Sequence, residues 1–125
     1  MKNIKEYILE GNQDHALFNA CMELDNNTDI YKQQYWPLVQ NLVKKHKEGV
    51  FDISKLENSS SVDKLCAACI KSAKVTISSD SRKKLRKLVV ASLLQTVSNE
   101  GEDLTKEEED YMIDWDYNST DVLNW

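Results

Sequence analysis

The scarcity of chain-breaking residues constrains this sequence more than any other feature. Its 125 residues include only three Gly and one Pro, against about nine and six at average usage. A turn-rich β sandwich, or a nucleotide fold built on Gly-rich loops, needs many more turn and positive-φ positions. Long helices need few. The apolar spacing agrees and predicts an all-α compact bundle of five to six helices. Residues 1–100 make the bundle in this reading. Residues 101–125 add an acidic-aromatic C-terminal helix and tail, packed on the bundle or extending from it.

Spacing and caps delimit the helices. Ile4, Tyr7 and Ile8 open a short first helix that Gly11 ends, and Asp14 caps a second. Leu17, Ala20, Cys21 and Leu24 line one side of that second helix, and Asp25-Asn26-Asn27 stops it. A third begins near Thr28 and carries Tyr31, Tyr35, Leu38, Leu42 and Val43 in one stripe towards Gly49. Pro37 lacks an N–H and clashes with the Gln33 carbonyl. The helix therefore kinks at Trp36-Pro37 or starts afresh there, and the unbroken phase of the stripe favours a kink. Asp52, Ser59-Ser60-Ser61 and Ser78-Ser79-Asp80-Ser81 supply further caps. Val62, Leu65, Cys66, Cys69, Ile70 and Ala73 make the cleanest amphipathic stripe. In the next helix Leu85, Leu88, Val89 and Leu93 point inward, while Val90, Ala91 and Leu94 widen the apolar face. That helix is either central or offers a second face to a partner. Thr105 with Glu108 makes a capping-box pattern, and Tyr111, Met112 and Trp115 follow on one face.

Cys66 and Cys69 have the C-x-x-C spacing of zinc and redox sites. No second pair exists, and Cys21, His15 and His46 stand at no ligand spacing. Both cysteines lie on the apolar stripe of a helix, which makes them small core residues. Neither histidine has a nucleophile at recognisable spacing, so no catalytic residue, cofactor or metal is expected. Lys44-Lys45-His46-Lys47 suits a helix C-terminus electrostatically. No apolar run approaches a membrane span, and residues 1–10 have no apolar signal core. The expected location is cytoplasmic.

The net charge of −5 is strongly segregated. Six Lys and seven acids leave residues 1–50 at −1; nine Lys/Arg and four acids leave 51–99 at +5; one Lys and ten acids leave 100–125 at −9. The run Arg82-Lys83-Lys84-Leu85-Arg86-Lys87 stands at a helix start, where cations are unfavourable. Arg82, Lys83 and Arg86 can face outward together, and something acidic should compensate: phosphates, an acidic partner, or the 100–125 segment. With Val62–Val75 and the turn 76–81, this helix also fits a helix-turn-helix, so a nucleic-acid-binding regulator is the alternative function.

Solvated acidic tails usually lack aromatics, yet this one holds Tyr111, Trp115, Tyr117 and Trp125. Either it docks on its own body or it forms a recognition surface. In the second case Glu107, Glu108, Asp110, Asp114 and Asp116 meet a basic groove on a protein partner, while Trp115 or Tyr111 inserts. A homodimer is also compatible with this pattern.

Trp36-Pro37, Asn41-Leu42, Lys45, Gly49 and Asp52 form a W-P-x-x-x-N-L-x-x-K-x-x-x-G-x-x-D pattern. Over residues 31–55 it resembles segments of short accessory proteins of phages and other mobile elements. That resemblance implies no catalytic residues. It implies an accessory protein that binds a host component, by analogy with small acidic inhibitors of host defence enzymes such as anti-CRISPR proteins. The expectation is a non-enzymatic inhibitor of a nucleic-acid-handling enzyme.

Overall fold

The computed structural model describes the backbone of residues 4–115 and side chains from His15 onward. The expected face of Ile4, Tyr7 and Ile8 falls outside those side chains, and Asp116, Tyr117 and Trp125 fall outside the described residues. Every regular element among the described residues is helical: α1 (Ile4–Asn26), α2 (Thr28–Ile30), a π-helical turn (Tyr31–Tyr35), α3 (Trp36–Lys47), α4 (Ile53–Glu57), α5 (Ser60–Ala73), α6 (Ser79–Asn99) and α7 (Lys106–Asp114). α2, the π turn and α3 follow without a break, so these make six helical rods. The all-α bundle expected from spacing is the fold.

Two local expectations are corrected. Gly11 does not end a helix, and Asp14 lies inside α1 rather than at its N-cap. One interior Gly costs only about 1 kcal/mol, whereas stopping and restarting would require a second unfavourable nucleation. The third helix does start a new α-helical segment at Trp36-Pro37, without a break in the chain. It widens first: the Trp36 N–H reaches back five residues to the Tyr31 carbonyl, and Pro37 enters in the first turn of α3, where no partner is needed for its missing N–H. The extra residue shifts the phase. Ile30, Tyr35, Val39 and Leu42 are buried, while Tyr31 remains 39% exposed and stacks on Tyr35 and Trp36.

The π turn is anchored to the bundle through Tyr35. Its hydroxyl donates to the Ser92 carbonyl at 3.0 Å and lies 2.9 and 2.7 Å from the hydroxyls of Ser92 and Thr96. A buried phenol is satisfied in this way. Burial raises its pKa, against those hydroxyl bonds. Asn27 caps α2 and donates to Ser72 Oγ at 2.7 Å, fixing the α1–α2 corner to α5. Asp52, Ser59, Ser78 and Thr105 cap α4, α5, α6 and α7.

α6 runs through the middle, packed against α1, α3, α4, α5 and α7. Leu85, Leu88, Val89, Val90, Leu93, Leu94 and Val97 are all fully buried. The wide apolar face of this helix therefore belongs to the core, which decides between the two readings of it. Leu17, Ala20, Cys21, Leu24, Val62, Leu65, Cys66 and Cys69 fill the space between α1, α5 and α6.

Candidate functional site

The three cysteines are buried free thiols. Burial pushes Cys66 up to about 12, although Arg86 and Arg82 oppose the shift, and burial pushes Cys69 up to about 12 as well. Burial, with smaller contributions from Cys69, Cys66 and Asp25, raises Cys21 too. Thiols held protonated in this way are weak nucleophiles and poor ligands. No cluster suited to a metal ion occurs among the described residues.

The basic run finds its compensation inside the bundle. Arg82 and Arg86 both reach Asp63 of α5, Arg82 at 3.5 Å, and Lys87 bonds Glu57 of α4 at 2.7 Å. Lys83 is exposed. These pairing acids belong to α4 and α5, and Arg82 keeps 41% of its side chain exposed beside Lys83. The C-terminal helix uses Lys87 differently: its ammonium lies 5.9 Å from the Tyr111 ring centre and 5.3 Å from that of Trp115. Burial, followed by the nearby charge of Glu57, raises the Tyr111 pKa. The Tyr111 hydroxyl is buried and makes no hydrogen bond of ordinary geometry with the described residues.

His46 fastens the other end of α7. Its Nε2 lies 3.0 Å from Glu108 and its Nδ1 lies 3.2 Å from Glu102, and the Phe51 ring stands edge-on at 5.8 Å. A carboxylate facing each ring nitrogen favours the imidazolium, the form with two N–H donors. Burial opposes that charge, but the hydrogen bonds and charges of Glu108 and Glu102 together outweigh it and raise the His46 pKa. Glu108 also accepts the Thr105 N–H at 2.9 Å, closing the capping box. No sequence signal marks the His46 cluster, because its members lie 56 and 62 residues apart.

α7 thus has two stripes. Glu108, Tyr111, Met112 and Trp115 turn toward the bundle, and Glu108 is only 5% exposed. Glu108 is therefore removed from the expected recognition surface: it is committed to His46 and to its own helix cap. Glu107, Asp110 and Asp114, at i, i+3 and i+7, form an exposed ridge with Glu109 beside them. Ile113 stands on the same outer side and is 67% exposed. Sequence reasoning missed Ile113 because it sought an aromatic anchor.

A second surface feature lies between α3 and the α4–α5 region. Two adjoining hollows, of about 110 and about 290 Å³, share Leu38, Asn41 and Ser61. Most of the W-P…N-L…K…D pattern gathers here, since Pro37, Asn41, Leu42, Lys45 and Asp52 line this groove. No helix among the described residues is long and apolar enough to cross a membrane. No protein-family model, curated protein or solved structure matches the chain.

Proposed function

We propose that this chain is a non-catalytic binding module that engages a basic groove on a protein partner through the outer ridge of α7. One observation carries the reading: Ile113 is 67% exposed among the exposed carboxylates Glu107, Glu109, Asp110 and Asp114. A large apolar side chain ringed by like charges suits a surface that is covered in a complex, with the isoleucine as anchor and the acids as steering charges. Carboxylates three and four residues apart rise about 4.5 and 6 Å along a helix. A groove built for a phosphate backbone accepts such a row. A nucleic-acid-handling enzyme is therefore the partner class, in keeping with the resemblance to mobile-element accessory proteins.

The test compares the wild-type protein with Asp110→Lys/Asp114→Lys and with Ile113→Ser as bait for host lysate, followed by assay of captured nucleases with and without the chain. The proposal expects a basic enzyme that both variants lose and that the wild type inhibits. Capture that is equal for all three baits contradicts it.

A further inference from the structure

We propose that the groove between α3 and the α4–α5 region receives the α7 ridge of a second copy, so that the protein self-associates through reciprocal ridge-in-groove contacts. This rests on reading the ridge as a binding face, and it names one occupant for a surface that reading leaves unused. The groove carries Lys45, Lys55 and Lys64, all exposed and without an ion pair among the described residues, against one lining carboxylate, Asp52, which is engaged as the α4 cap. Its apolar lining includes Leu38, Phe51 and Val50, and Val50 is 62% exposed.

The complement to that chemistry is on the same molecule. Three lysines around an apolar lining match the acids around Ile113, and the two most exposed large hydrophobic side chains of the described residues, Val50 and Ile113, sit one on each surface. A phosphate backbone would satisfy the lysines but leave Val50 and Phe51 against charge. An acidic helix carrying an aliphatic side chain satisfies both.

Within one chain the two surfaces cannot meet, because α7 is pinned by its inner stripe and its ridge faces away from the bundle. They are neighbours nonetheless. His46 closes α3 against Glu108 of α7, and its ring meets Phe51, which lines the groove. α4 borders both, with Lys55 on the groove and Glu57 on Lys87 beneath the Tyr111 and Trp115 rings. Adjacent complementary patches are what a two-fold axis between them needs, each ridge entering the other groove. A nine-residue helix offers only a small interface, so association is weak and salt-sensitive.

Sedimentation equilibrium of the whole chain, from about 10 µM to about 1 mM, tests this at low and high salt. Three proteins are compared: wild type, a groove variant (Lys45→Glu/Lys55→Glu/Lys64→Glu) and a ridge variant (Asp110→Lys/Asp114→Lys). All substitutions are at exposed positions, and circular dichroism checks the fold. Wild type should dimerise with an affinity that falls at least tenfold between low salt and about 0.5 M salt. Each variant alone should be monomeric. An equimolar mixture of the two should dimerise again, because reversed ridge meets reversed groove and native ridge meets native groove. A wild type that stays monomeric at low salt, a dimer that survives either variant, or a mixture of folded variants that stays monomeric would each overturn the proposal. Because capture of a basic enzyme by the ridge is read separately, self-association can fail while the functional reading stands, and the reverse.

Discussion

α6 and α7 are both amphipathic helices of one bundle, yet they are held by different balances of force. α6 lies in the dry centre with seven aliphatic side chains fully buried. α7 lies at the edge, where the apolar packing of Tyr111, Met112 and Trp115 is joined by charged contacts: Glu108 on His46 at one end, and Lys87 on the Tyr111 and Trp115 rings at the other. Apolar burial is indifferent to pH and gains strength with added salt. Partly buried ion pairs weaken when a proton or a partner is lost. The molecule therefore has a stable interior and an edge helix whose docking depends on solution conditions.

The largest effect is expected in the interior. Leu88→Ala or Leu93→Ala removes a fully buried side chain of α6 and should cost about 2–5 kcal/mol. Urea unfolding followed by circular dichroism measures it. A loss below about 1 kcal/mol would place α6 outside the core.

Glu108→Ala ranks next. It strips Nε2 of its carboxylate and opens the capping box, with an expected cost of about 2 kcal/mol. Hydrogen exchange should show α7 amides losing protection while α6 amides keep theirs. Uniform loss along both helices would erase the distinction between them.

Smaller still is the double change Cys66→Ala/Cys69→Ala, which swaps two core thiols for methyl groups and should lower stability by about 1–2 kcal/mol with the fold intact. In the wild type both thiols should resist alkylation until the chain unfolds. Stoichiometric zinc lost in the double variant would contradict a purely structural role.

The pH dependence of α7 docking has a definite sign. The folded pKa of His46 is raised above its ordinary 6.5. Its stabilising contribution is therefore complete below 6.5 and is lost as pH rises through the folded value. Exchange of α7 amides, corrected for intrinsic rates, should accelerate over that alkaline side in the wild type and show no such step in His46→Asn. Protection that increases with pH there would reverse the assignment.

What the sequence made legible was local. The caps at Asp52, Ser59, Ser78 and Thr105 each act within three residues, and the stripes of α5 and α6 repeat within one helix. Both were readable from spacing alone. The π turn escaped because an inserted residue changes the phase of burial by one position, which a list of apolar residues tolerates either way. The His46 cluster and the Asp63 pairing of Arg82 and Arg86 escaped because they join residues distant in sequence with no periodic signature. Glu108 was half legible: its capping box is local, and its burial beneath His46 is not. The same gap hid the division of α7, since the run of acids looks continuous until one of them is found facing inward.

That division of α7, an inner stripe for folding and an outer ridge for recognition, is the central claim. Its most direct test is to measure melting temperature and capture of the basic partner on the same two variants, Trp115→Ala and Ile113→Ser. Trp115→Ala should melt several degrees lower, as a loss of about 1 kcal/mol implies for a chain of this size, while the folded fraction still binds. Ile113→Ser should melt like the wild type and bind at least tenfold more weakly. A Trp115→Ala protein that melts normally but no longer binds, beside an Ile113→Ser protein that binds fully, would put the recognition face on the opposite side of the helix and contradict the account.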